Sequence, residues 1–284
     1  MFPRRTRKLA AAVVILFSVL AMSACGAQDS AGQTGTLKIA AAPDPKGDIT
    51  KKVIDLAASQ GIKLELVTTT NSVNDHQLLE DGDVDIDFNS HVPWFNDQVA
   101  TNHFKQTFVE TVFLTPTGLY SDKFDGLDQL PDGARIAISK DVPNQARSLG
   151  FLQSAGLVEL APGNDLSTVT LDDVTANPKN LQWVQVDLEA TPRTLPDVDA
   201  AVILGTVATA AGLKLEDALA QERADNPLWA IGVVARTADV DKPEYKKVFE
   251  LYNSDEVKQF ITETYPEGPV IPAFGAPVRV AESR

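Results

Sequence analysis

The residue whose type and position most plainly offer chemistry is Arg147, in the run Asp141-Val142-Pro143-Asn144-Gln145-Ala146-Arg147. A helix is expected to begin near Asn144, and unpaired backbone N–H groups and the helix dipole favour an anion at such an end. A guanidinium in that first turn can add a bidentate pair to a carboxylate. The competing reading is an arginine paired with one of the chain's many acids. Asn144 is either the helix cap or a ligand contact. The three histidines, His76, His91 and His103, show no ligand spacing such as His-x-x-x-His, so no metal site is expected. Asp83, Asp85 and Asp87 alternate along one strand and read as the solvent face of an edge strand. There is no Gly-x-Ser-x-Gly elbow, no His-Glu-x-x-His and no Walker loop, which argues against an enzyme and for no cofactor.

The only cysteine, Cys25, follows four bases (Arg4, Arg5, Arg7, Lys8), an apolar run from Leu9 to Met22, and the small residues Ser23 and Ala24. That order reads as a lipoprotein signal peptide over 1–24, with Cys25 as the site of lipid attachment. The apolar run falls short of the roughly 20 residues of a membrane span. Residues 25–36 are small and polar and read as a flexible tether. The expected location is the cell membrane, lipid-anchored on its extracytoplasmic side. The chain has 25 basic and 39 acidic residues, and without the four signal-peptide bases its net charge is about −18. Such a surface excludes nucleic acid as a partner and leaves membrane proximity to the lipid.

The elements that would position Arg147 alternate. Leu37–Ala42 reads as a strand, Asp48 as the cap of a helix through Gln60, and Ile62–Leu66 as a strand. A short helix from Asn74 to Asp81 and a strand from Val84 to Phe88 complete a β-α-β-α-β series, which implies a mostly parallel sheet. The pattern restarts with strand Ala134–Ser139, helix Asn144–Ser154, and strands at Leu181–Val186 and Ala200–Leu204. A strand at Leu228–Ala235 and helices at Pro243–Asn253 and Asp255–Thr264 close the chain. Two α/β units in an exported lipoprotein suggest a clamshell whose hinge closes on one small molecule.

Six stretches in register carry a resemblance. They are Leu78 to Trp94, Asp141 to Leu149, Thr168 to Val184, Glu189 to Arg193, Asn253 to Val257 and Val270 to Phe274. In these the chain resembles the NlpA/MetQ family of methionine-binding lipoproteins. The resemblance implies an α/β, two-lobed periplasmic-binding-protein-like clamshell of type II, with two mixed sheets flanked by helices and a double-crossing hinge. One lobe would hold 36–117 and 234–284, the other 118–233. The partners implied are an amino acid or small carboxylate, and the permease and ATPase of an ABC importer. Arg147 matches the arginine that holds the ligand's carboxylate, and His91 and Trp94 match a His-x-Pro-aromatic motif of the side-chain site. Phe88, just upstream, would extend an aromatic wall suited to a thioether, with core packing as its alternative. An aromatic residue of the family falls on Ser72. Its two head-group asparagines fall on Leu204 and on Ala230 or Ile231. These departures open a second reading: another ligand, such as a dipeptide or organic acid, or an adhesin-like role.

Overall fold

The computed structural model describes residues 35–70, 72–223, 225–266 and 268–275; the signal segment 1–24 and Cys25 lie outside the described residues. In chain order the structure opens with β1 (Leu37–Ala41), α1 (Lys46–Ser59), β2 (Leu64–Thr68), α2 (Ser72–Asp81), β3 (Ile86–Asp87), α3 (Val92–Asn102) and β4 (Gln106–Leu114). Then come β5 (Gly118–Tyr120), β6 (Arg135–Ser139), α4 (Val142–Ser154), β7 (Glu159–Leu160), β8 (Val174–Ala176), β9 (Gln182–Val186), β10 (Ala200–Ile203) and α5 (Gly205–Ala210). The chain closes with β11 (Ala220–Gln221), β12 (Ile231–Arg236), α6 (Pro243–Tyr252), α7 (Asp255–Thr264) and β13 (Ile271–Gly275).

These strands form two mixed sheets, ordered β13-β4-β12-β3-β1-β2 and β11-β5-β10-β6-β9, with a small β7-β8 ribbon. In the first, β1 runs parallel to β2 and β3, aligning Ile39 with Leu66 and Ile86. Helix α1 covers this sheet because Ile49, Val53 and Ala57 recur at helical spacing and are buried. They join Val248, Tyr252, Val257 and Ile261 of α6 and α7 in one core. In the second sheet β6 lies parallel to both β9 and β10, and β5 lies antiparallel to β10. Its core gathers Leu119, Ile136, Ile138, Phe151, Leu152 and Val202. The chain passes from first sheet to second at 115–117 and returns through 222–230.

Several local readings change. Helix α4 starts at Val142, two residues before Asn144, and its cap is Asp141. Helix α1 starts at Lys46 with Pro45 as N-cap, so Asp48 sits in its first turn. Strand β12 starts at Ile231, because Pro227–Trp229 forms a turn of 3-10 helix. The alternating acids do not mark an edge: β3 lies between β12 and β1, Asp87 is fully buried, and Asp85 pairs with Arg236 at 2.9 Å. The stretch 89–117, which periodicity leaves unassigned, folds as α3 and the nine-residue β4. Its polar Glu110 is largely buried against Asn253, and burial pushes that carboxyl up to about 7. Polar residues of this kind hide the strand's alternation.

Candidate functional site

In both sheets the parallel strands point the same kind of end at one place. Ala42 and Pro43 follow β1, Thr70 follows β2, Asn89 follows β3, Leu188 and Glu189 follow β9, and Leu204 follows β10; all line one cavity of about 440 Å3. Ligands of α/β sheets bind outside the carboxyl ends of the strands, where the N–H-rich helix starts also gather. The volume lies in the range of roughly 300–1,000 Å3 common for small-molecule sites.

At its centre two helix caps meet. Asp141 caps α4, accepting from Asn144 N at 2.9 Å and from Asn144 Nδ2 at 2.8 Å. His91 caps α3, its Nδ1 accepting from Trp94 N at 3.2 Å. With Nδ1 as acceptor the ring proton belongs on Nε2, which donates to Asn144 Oδ1 at 3.0 Å. Burial pushes the imidazole pKa down to about 3, the Asn144 bond opposes this, and the nearby Arg147 charge adds to it. His91 is therefore a neutral strut with both nitrogens engaged. Its ring meets Trp229 edge-on, with centroids 5.3 Å apart.

Arg147 reaches the same cavity, but it lies past the free N–H groups of α4, since the helix begins at Val142. Its side chain is 3% exposed and already paired. Nη2 donates to Glu222 Oε2 at 2.7 Å and to Thr115 O at 2.7 Å, while Nε donates to Glu222 at 3.2 Å. Glu222 also accepts from Thr117 N at 3.0 Å. The guanidinium carbon stands 5.5 Å from the centre of the Trp229 ring. One ion pair thus ties α4 to both passages of the chain between the sheets. Glu222 carries no local signal in the sequence; 75 residues separate it from Arg147.

Of the other expected site residues, Trp94 lines the cavity, and its Nε1 is buried without a partner among the described residues. Phe88 is not on the wall. It packs in the first core against Tyr252 and Phe113, at centroid distances of 4.5 and 5.7 Å, because the strand turns its neighbour Asn89 to the cavity instead. Ser72 opens α2, and its side chain is outside the described set. Leu204 and Ile231 line the cavity; Ala230 is fully buried without lining it.

A residue that sequence reading passed over also faces the site. Lys46, at the start of α1, is 8% exposed and donates to Asn89 O at 3.1 Å. Behind it lies a polar network. Asn89 donates to Asp75 Oδ2 at 2.6 Å and accepts from Ala42 N at 2.7 Å, and Ser90 joins Asp87 to His76. Burial, followed by the Asp87 charge, pushes the Asp75 carboxyl up to about 7. Burial also lowers the Lys46 ammonium from its usual value, against the pull of Asp87, Asp75 and Glu189.

The chain matches the family model for NlpA lipoproteins over residues 37–274. It is 32% identical to the D-methionine-binding lipoprotein MetQ of Salmonella typhi over 267 residues, 93% of this chain and 97% of that one. It is 29% identical to the methionine-binding lipoprotein MetQ of Bacillus subtilis over 272 residues, 94% and 98% of the two chains. A solved nutrient-binding protein from Burkholderia cenocepacia, bound to methionine, superposes with a TM-score of 0.80 at 32% identity, covering 84% of this chain and all of that one.

Proposed function

This chain belongs to the NlpA lipoprotein family, and we propose from that premise that it is a solute receptor of an ABC importer. It holds methionine or a related small carboxylate in the cavity between two lobes. The observation that carries the reading is the cavity itself: it is lined from both sheets, at the carboxyl ends of their strands, and spanned by the His91–Asn144 bond. The lobes are the units 36–117 with 234–284, and 118–233, and the two passages near 115–117 and 222–230 serve as the hinge. The role is binding and delivery rather than catalysis, and the partners are a permease and its ATPase. Among the described residues no helix is long and apolar enough to cross a membrane. Attachment is assigned to the lipid on Cys25, with the body on the extracytoplasmic side.

Leu204 and Ile231 on the cavity wall stand where the family's head-group asparagines fall, and they open a second ligand class beside a free α-amino acid. Neither side chain can pair with an α-ammonium, and an unpaired buried charge is costly. Either Asn89 or Thr206 of the same wall takes their place, or the ligand is an organic acid or dipeptide rather than a free α-amino acid. Titration calorimetry with L-methionine, D-methionine and a panel of amino acids, dipeptides and organic acids tests both readings. A bound ligand of micromolar affinity supports the receptor role; silence across every class refutes it.

A further inference from the structure

A second cavity, of about 510 Å3, shares Arg147 with the first and no other lining residue. We propose that it is a separate site for a small uncharged molecule with an apolar body and one hydrogen-bond acceptor, and that its occupant acts on the first cavity through Trp229. Its walls are a face of α4, the end of β11 at Gln221, and the return passage with Glu222, Asn226 and Trp229. The α4 face is made of small residues, Ala146, Gly150 and Ser154, and a Cβ at Gly150 would meet nothing within 4 Å.

The chemistry of the occupant follows from which wall groups are already satisfied. The two cations each face an acid: Arg147 meets Glu222 at 2.7 Å, and Arg223 meets Asp225 at 2.8 Å. A charged occupant would find a repelling group beside each attracting one. Trp229 is different. It is 5% exposed and lines this cavity but not the first, and its indole N–H meets no acceptor among the described residues. An indole nitrogen only donates, and a buried donor without a partner is costly, so an acceptor that reaches it is held selectively. Leu127, Phe151 and Ala155 supply apolar wall, and so does Leu166. Among the described residues only Leu166 and Val142 are large apolar side chains left exposed, and an occupant of this cavity covers the first.

Trp229 also joins the two cavities. Its ring lies edge-on to His91 with centroids 5.3 Å apart, and the Arg147 guanidinium stands 5.5 Å from its centre. His91 lines the first cavity and Arg147 lines both. Trp229 and Glu222 sit on one of the two passages assigned to the hinge, so an occupant that holds Trp229 changes solute affinity, and the solute changes the occupant's affinity by the same factor. This half of the proposal rests on the receptor reading; the site itself does not.

The full-length chain in detergent, labelled with nitrogen-15, gives one indole N–H signal for each of its three tryptophans, Trp94, Trp183 and Trp229. Trp229→Phe assigns the relevant one. The probes are acetophenone, its acceptor-free analogue ethylbenzene, and the ions benzoate and benzylammonium. Acetophenone should move the Trp229 signal saturably and bind at least about fivefold more tightly than the other three. Gly150→Leu fills the cavity, replaces glycine by a better helix former, and should abolish that response. Ser154→Leu serves if that variant does not melt cooperatively. A Trp229 signal unmoved by acetophenone, or a shift confined to Trp94, overturns the site. So does an equal response to ethylbenzene, tighter binding of either ion, or an unaltered response in the filled variant. With the site saturated, calorimetry of the solute that the first cavity binds should show a change in Kd of about fivefold or more. An unchanged Kd overturns the coupling and leaves the site. Failure of every solute refutes the receptor reading and the coupling with it, while the indole signal still decides the site.

Discussion

Nε2 of His91 donates to Oδ1 of Asn144 at 3.0 Å, and that one bond joins the first turns of α3 and α4, which follow strands of different sheets. Each partner is oriented by a second bond, His91 by Trp94 N and Asn144 by Asp141. The cavity's centre is thus set by side chains already satisfied by one another.

Replacing His91 by leucine leaves Asn144 Oδ1 and Trp94 N without partners, and should cost about 1–3 kcal/mol at pH 7.5. The folded pKa of about 3 lies below the unfolded value of about 6.5, so the unfolded chain binds a proton that the folded chain refuses. Wild type should lose stability as pH falls below about 6.5, by about 1.4 kcal/mol per unit, and H91L should not. Urea unfolding at pH 7.5 and 5.5 reads both effects; a constant difference between the two proteins would contradict the neutral, buried imidazole.

Glu222→Ala strands the buried Arg147 guanidinium and should destabilise by about 3–5 kcal/mol. Removing both charges, as R147M/E222L, should recover much of that loss, since packed apolar residues need no desolvated partner. A double-mutant cycle by denaturant melts measures the coupling. Near-additive losses would mean the pair does not act as a unit.

Asp75 has the opposite pH signature. Its folded pKa near 7 exceeds the ordinary 3.8, so the folded state binds the extra proton between those values, and stability falls as pH rises through the window. Asp75→Asn keeps an acceptor for Asn89 and carries no charge. The variant should gain on wild type steadily from pH 4.5 to 7.5 in thermal melts, then hold level. A difference independent of pH would refute the raised carboxyl.

Gly205 begins α5 against the first passage between the sheets. A Cβ there would stand 2.3 Å from Pro116 O and 2.5 Å from Thr115 Cβ, so Gly205→Ala must push backbone from backbone. The expected loss is about 1–3 kcal/mol, with weaker ligand binding because Leu204 and Thr206 flank it on the cavity wall. An unchanged Tm would show that this passage yields freely.

Cys25→Ser should move the protein from the membrane to the soluble fraction and leave its ligand affinity unchanged. Fractionation followed by calorimetry checks both halves, and a loss of affinity would make the anchor part of the binding unit.

Sequence alone determined what depends on neighbours along the chain. Periodicity placed α1, α6, α7 and most parallel strands, and six short stretches in register carried the family and with it the α/β architecture. Those motifs also led to Arg147, Asn144, His91 and Trp94, all of which line the cavity. What sequence could not decide is which partner each side chain meets. Phe88 and Asn89 are adjacent, and only the seating of β3 inside the sheet sends the ring to the core and the amide to the cavity. A shift of one residue in a strand exchanges its faces, so nothing local distinguishes the two. Arg147 reads either as an anion site or as paired with one of many acids, and only the fold brings Glu222 to it across 75 residues. Lys46 falls before the helix that periodicity places after Asp48, and only the fold makes it the first residue of α1 and buries it against the Asn89 carbonyl. Charge becomes expensive only where tertiary packing removes water, and that packing, not residue type, decided which cations of this chain are buried and which groups they meet.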